Sequence, residues 1–185
     1  MSNKEAYLEL VEETKVYPMP QTPSPQTQEW QPVPLEQRHA AYSDMLEHLT
    51  LLDRHGENLL ERGLSEERIR ENGYKSMPET EQGRRLLAEL LRSHGHELRG
   101  LPGFRTYYGA WTISGPNGFL IPVRNKEGLI QGLKIRLDDA DSPNRKYRWL
   151  SSRSLPNGTR SYSWVHVTGD RSRKRAFLTE GPLKG

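Results

Sequence analysis

The hydrophobic pattern of this chain changes period at Leu101-Pro102-Gly103. Upstream, apolar residues recur at the spacing of helix turns; downstream, they fall in short runs separated by glycine. A period near 3.6 and a period of 2 build different elements, so the order of the two patterns constrains the fold before any other feature does. Helices come first and strands second, which predicts the α+β class, a helical bundle followed by a mainly antiparallel sheet.

The helical half is well punctuated. Leu35, Tyr42, Leu46 and Leu49 repeat on one helical face, and Thr50, with Asp53 three residues on, has the pattern of a capping box for a second helix ended by Gly63. Ser65 is placed to cap a third helix, with Ile69 on its buried side and Gly73 at its end. Thr80 opens a fourth, with Leu86, Leu87, Leu90 and Leu91 as its apolar stripe and Gly95 as its stop. Strands are predicted over 107–113, 119–123, 129–137, 147–150, 163–167 and 175–179, and Asn125-Lys126-Glu127-Gly128 reads as the loop of a hairpin.

Residues 1–13 could form a short amphipathic helix. Six prolines between Thr14 and Pro34 withhold backbone donors and fix φ, so that stretch is expected to be an extended linker. The division predicted is a tail and linker over 1–34, mobile and dispensable for folding, a helical subdomain over 35–100, a basic β subdomain over 101–175, and the start of a further segment over 176–185.

Several function classes are excluded on composition. There is no cysteine, so neither a disulfide framework nor a thiolate metal site is available. No apolar run approaches the roughly 20 residues that cross a bilayer, and the Met-Ser-Asn-Lys-Glu start lacks the apolar segment of a signal peptide. The expectation is a cytoplasmic protein without a membrane partner. His48, His55, His94 and His96 lie in or near the helices without a metal-binding spacing, and they read as surface histidines. Asp138, Asp139 and Asp141 read as solvated turn acids.

Net charge is only +3, but its placement is uneven. Between Ser142 and Arg175 stand nine Lys or Arg against one acid, Asp170, which points to an anionic partner. In the strand 129–137, Leu133, Ile135 and Leu137 share one face while Lys134 and Arg136 share the other. Arg124, at the end of the preceding strand, is expected near that cationic face. In "NRKYRWLSS" the cations Arg145, Lys146 and Arg148 alternate with Tyr147 and Trp149. Such interleaving suits nucleic acid, because cations neutralise phosphates and rings stack on bases. The two rings either stack or enter the core; in the second case the cations form the surface alone.

Three segments together, "GFLIPVRNKEGLIQGLKIRLDD", "KYRWLSS" and "FLTEGPLKG", resemble the toprim-associated domain of primase-like replication proteins of phages, plasmids and integrative elements. More distantly they resemble the bacterial replicative primase core. The helical "LLERGLSEERIRENGYKSMP" is similar to the helical region of the same phage and plasmid family, so the resemblance covers about residues 35–185.

The resemblance implies that Arg124, Lys134, Arg136 and Lys146 line a basic groove for template or nucleotide phosphates; the alternation in the basic run adds Arg148 beside Lys134 and Arg136, and Arg145 with it. It implies that Glu180 is the toprim glutamate at the end of the first toprim strand, working near Mg2+ or Mn2+ held mainly by a later Asp-x-Asp pair. That pair does not occur after Glu180 in this sequence, so the chain alone is expected to hold no catalytic metal and to synthesise no primers. The implied partners are single-stranded DNA or primer-template, with a helicase or a toprim-containing protein beside them. The alternative reading is a non-enzymatic module that docks a helicase or other replication protein.

Overall fold

The computed structural model describes residues 30–139, 146–169 and 183. The helix expected over 1–13, most of the proline-rich stretch, Asp141, Arg145, the run 175–179 and Glu180 lie outside the described residues. Among the described residues, four helices, α1 (Leu35–Glu47), α2 (Asp53–Glu61), α3 (Glu66–Asn72) and α4 (Glu81–Ser93), are joined by six strands. The strands are β1 (Lys75–Ser76), β2 (Phe104–Tyr107), β3 (Ala110–Ile113), β4 (Gly118–Arg124), β5 (Ile130–Leu137) and β6 (Tyr147–Trp149). The α+β expectation holds. No helix among the described residues is long and apolar enough to cross a membrane.

Helix ends follow local chemistry in three places out of four. The Ser65 hydroxyl accepts from the Arg68 N–H at 3.2 Å, and Gly73 closes α3 in the left-handed conformation, φ 72°. Thr80 accepts from Gly83 N–H at 3.1 Å and starts α4. Thr50 does not start α2. Its carbonyl instead accepts from Ser76 N–H at 2.8 Å, and the Ser76 hydroxyl accepts from Leu52 N–H at 2.8 Å, so the helix begins only at Asp53. A long-range bond to β1 has displaced the local cap.

One sheet, in the order β1-β4-β5-β6 with every neighbour antiparallel, organises the molecule. Leu120 pairs with Ile135, and both face a core that α1 and α4 fill with Ala41, Tyr42, Met45, Leu87, Ala88 and Leu91. Phe119 and Ile121 point the other way, into a smaller core with Leu59 and Tyr74, against which Leu51, Leu64 and Ile69 pack. Gly118 to Val123 are therefore all buried, covered on both sides. Leu86 is 64% exposed and does not join the stripe expected of it. The buried face of α4 centres on Leu87, Ala88 and Leu91, one residue round the helix.

Strand predictions were accurate for β4, β5 and β6 and failed in two places. The run 107–113 is not one strand but part of a hairpin: Tyr108 and Gly109 both have positive φ, 48° and 77°, the backbone of a tight two-residue turn between β2 and β3. Residues 163–167 form no strand. There the ladder is interrupted by a bulge at Val123/Arg124, and the Arg124 N–H is taken by the His166 ring rather than by a backbone carbonyl. An isolated parallel bridge joins Trp30 to Thr159. The β4–β5 loop is as expected, with the Asn125 carboxamide oxygen accepting from Glu127 and Leu129 N–H.

Candidate nucleic-acid interface

Register decides which side chains share a surface. Lys134 lies opposite Trp149 and Arg136 opposite Tyr147, and directly paired residues of an antiparallel ladder project to the same side. Lys134, Arg136, Tyr147 and Trp149 therefore form one face of interleaved cations and rings. Arg148 lies opposite Ile135 and so belongs to the other side of the sheet, exposed on the edge strand. The sequence alternation had Arg148 beside Lys134 and Arg136; a single-residue difference in register reverses that and brings the aromatics there instead. Lys146 precedes β6 and is exposed, its carbonyl accepting from Leu137 N–H.

Among the described residues, the two central cations touch rings and no acids. The Lys134 ammonium sits 4.9 Å from the Trp149 ring centroid, and the Arg136 guanidinium 5.6 Å from that of Phe119. Neither makes an ion pair among the described residues, and Arg136 Nε is buried without a hydrogen-bond partner there. Burial pulls the Lys134 ammonium below its usual pKa. A half-desolvated cation without a counter-charge gains from an incoming anion, because the anion favours the charged form that burial disfavours.

Two aromatic residues beyond β6, Trp164 and Tyr162, extend this face, and Arg38 of α1 joins them. Trp164 covers Gly132 so closely that a β-carbon there would meet the ring, and its ring stands edge-on to Trp149 at 5.3 Å. Tyr162 lies 6.0 Å from Trp164, and the Arg38 guanidinium reaches over Trp164 at 5.1 Å from α1. Trp164, Tyr162 and Arg38 were not among the candidates from sequence. The signal available was the alternation in "SYSWVHV", which reads as a strand and folds as an irregular segment against the hairpin. His166 accepts the Arg124 N–H on Nδ1 at 3.0 Å, which places the proton of a neutral ring on Nε2. Burial, with Arg124 and Lys134 nearby, holds its pKa below the ordinary imidazole value.

Arg124 Nη1 donates to the Gly128 carbonyl at 3.0 Å, so this side chain braces the β4–β5 turn. Asp138 lies exposed in the bend after β5, as expected of a turn acid, but it is also paired. It accepts from His55 Nε2 at 2.7 Å, and Arg54 lies 3.4 Å from its other oxygen. His55 Nδ1 in turn lies 2.7 Å from the Ser76 hydroxyl. The order Ser76–His55–Asp138 has the connectivity of a hydrolytic triad, but the serine is buried and its oxygen is occupied by Leu52 N–H. The three residues tie α2 to β1 and to the end of β5. Of the helical histidines, His55 is buried rather than on the surface, whereas His48 and His94 are exposed as expected and converge with His96 on Asp44.

No family model and no curated protein sequence matches the chain. Solved structures do. The RNA polymerase domain of Mycobacterium tuberculosis primase DnaG, in complex with a double-stranded DNA oligomer carrying a 6-nucleotide overhang, is similar at a TM-score of 0.52 and 20% identity, over 65% of this chain and 40% of that one. The Aquifex aeolicus primase, zinc-binding and RNA polymerase domains, is similar at 0.51 and 16% identity, over 84% of this chain and 37% of that one. The chain spans about two fifths of the length of these relatives. At such identities the likeness is one of fold: this chain has the fold of part of the RNA polymerase domain of bacterial primases.

Proposed function

We propose that the protein is the nucleic-acid-binding portion of a primase-like DNA replication protein of a mobile genetic element. In this reading Lys134 and Arg136 take the phosphates of single-stranded DNA or of a primer-template, and Trp149 and Tyr147 supply faces for bases. The observation that carries it is the pair of acid-free cations interleaved with rings on one sheet face. The fold likeness to primase domains, one of them crystallised with DNA, supports the same assignment. The toprim and mobile-element parts of the reading rest on the resemblance of the segments around residues 118–139, 146–152 and 177–185.

Primer synthesis belongs to a larger assembly in this reading. Glu180 is the toprim-like acid, and Mg2+ or Mn2+ supplies charge stabilisation of phosphoryl transfer once further carboxylates join it. One carboxylate does not hold Mg2+, which keeps several waters and takes further carboxylates or substrate phosphates. A helicase or a toprim-containing protein would be the partner. Arg124 and Lys146 flank the central pair, Arg148 serves the opposite face, and Arg145 belongs with them by sequence.

Fluorescence anisotropy with labelled single-stranded DNA over a salt series tests the binding claim. The log-log slope should be about −0.7 per phosphate contacted. Replacing Lys134 and Arg136 together with alanine should make the slope shallower by roughly 1.4 on the same basis. Replacing Arg148 alone should change it less. An unchanged slope and affinity in the Lys134/Arg136 variant would remove the interface from this face.

A further inference from the structure

The structure assigns a second site, far in sequence from the basic face: we infer that Asp44, His48 and His94 bind a divalent transition ion of the zinc class, with His96 positioning the carboxylate. Asp44 and His48 stand one turn apart at the end of α1, where His48 is the C-cap. His94 is the C-cap of α4, and Gly95 follows in the left-handed conformation, φ 88°. The His96 N–H then donates to the Leu91 carbonyl at 3.0 Å, so the chain doubles back and delivers two imidazoles of "SHGH" to the same carboxylate.

His94 Nδ1 lies 2.8 Å from Asp44 Oδ2, His96 Nε2 2.9 Å from the same oxygen, and His48 Nδ1 3.2 Å from Oδ1. The ligand atoms of Asp44, His48 and His94 all fall within 4.8 Å of one another. Bonds of about 2.0–2.2 Å in a tetrahedral set separate ligand atoms by roughly 3.3–3.6 Å, so small side-chain rotations close the shell. The inward nitrogens now donate N–H to carboxylate or carbonyl oxygens. In a neutral ring the single proton passes, by exchange with water, to the outward nitrogen and leaves the inward lone pair for the ion; a protonated ring releases its inward proton to solvent.

Two further features favour a cation here. The C-terminal ends of α1 and α4 both lie at this spot, and helix C-termini carry partial negative charge. His48 and His94 are about two fifths exposed, which leaves a path for the ion and room for a water as the next ligand. Imidazole and carboxylate donors without any cysteine suit Zn2+, Co2+ or Ni2+; Mg2+ prefers an all-oxygen octahedral shell. Bound, the ion clips together the ends of the two helices that cover one side of the sheet.

Isothermal titration of the metal-free 185-residue chain with ZnCl2 should give one equivalent per chain, and CoCl2 should give the visible absorption of a low-coordinate cobalt centre. The His48→Ala/His94→Ala double variant should lose both signals, and His39→Gln, outside the cluster, should keep them. His96→Ala should weaken zinc by about 10–100-fold, with partial rescue by His96→Gln, as expected of a residue that orients a ligand. Should the double variant fold poorly, the single His48→Ala change, at an exposed position, carries the same test. Absence of zinc uptake by the wild type, or equal uptake by the His48 and His94 variants, overturns the site.

Discussion

The helical side of the molecule and the open face of the sheet handle charge in opposite ways. On the helices, Arg54 pairs with Glu79 at 2.6 Å, Arg85 with Glu81 at 3.2 Å, and Arg92 with Glu89 at 3.0 Å. Across β5 and β6, Lys134 and Arg136 meet rings instead of acids. Exposed pairs of this kind contribute little and are screened by salt, so they do little more than keep the surface balanced. A cation left without an acid in a partly desolvated site gives up that balance. In the proposed reading, the difference separates cations already balanced by acids from cations that a phosphate would balance.

Neighbours on β5 offer the strongest way to break this comparison. Ile135→Ala empties a fully buried position and should cost about 2–5 kcal/mol in urea unfolding. Lys134→Ala, one residue away, should leave stability within about 1 kcal/mol and lose DNA affinity, since it removes no core contact. If Lys134→Ala destabilised as much as Ile135→Ala, the cation would be structural and the contrast would fail.

A smaller effect sharpens the helical side. Thr80→Ala removes the cap of α4 and should cost about 1 kcal/mol, with DNA binding unchanged in anisotropy. Reduced binding in that variant would mean that α4 reaches the interface.

The smallest effect is a pH dependence. Burial holds His39 and His166 below the usual imidazole pKa, with Arg124 adding to both and Lys134 to His166. Their neutral rings thus contribute stability that is fully present above about pH 6.5, the unfolded value, and is lost as pH falls through their lower folded values. Urea midpoints should decline gently below that pH, and His166→Gln should flatten the decline. A midpoint that rose on acidification would contradict both assignments.

Much of the local architecture was legible. Ser65, Gly73 and Thr80 act through bonds that span at most a few residues, and the Asn125–Gly128 turn carries its own hydrogen-bond pattern. The site was legible in composition but not in arrangement. Whether Trp149 or Arg148 stands beside Lys134 depends on the β5–β6 register, which alternation alone leaves open by one residue. Asp138 finds His55 across 83 positions, and His94 finds Asp44 across 50; neither pairing has a local signature. The Tyr108-Gly109 turn was missed because tyrosine is an unusual residue for a positive φ, although Gly109 beside it marked the place.

The bridge between Trp30 and Thr159 carries a consequence for how the chain is made. It joins the first described residues to a point 129 positions later, while β1 waits for β4 across more than 40. Contacts of such separation slow folding, because the loop must close before any contact rewards it. As the polypeptide leaves the ribosome, α1 emerges well before β5, the strand it covers, and until then its apolar face has at most α4 as a partner in that core. During that interval the protection of Tyr42 and Met45 falls to whatever the cell supplies.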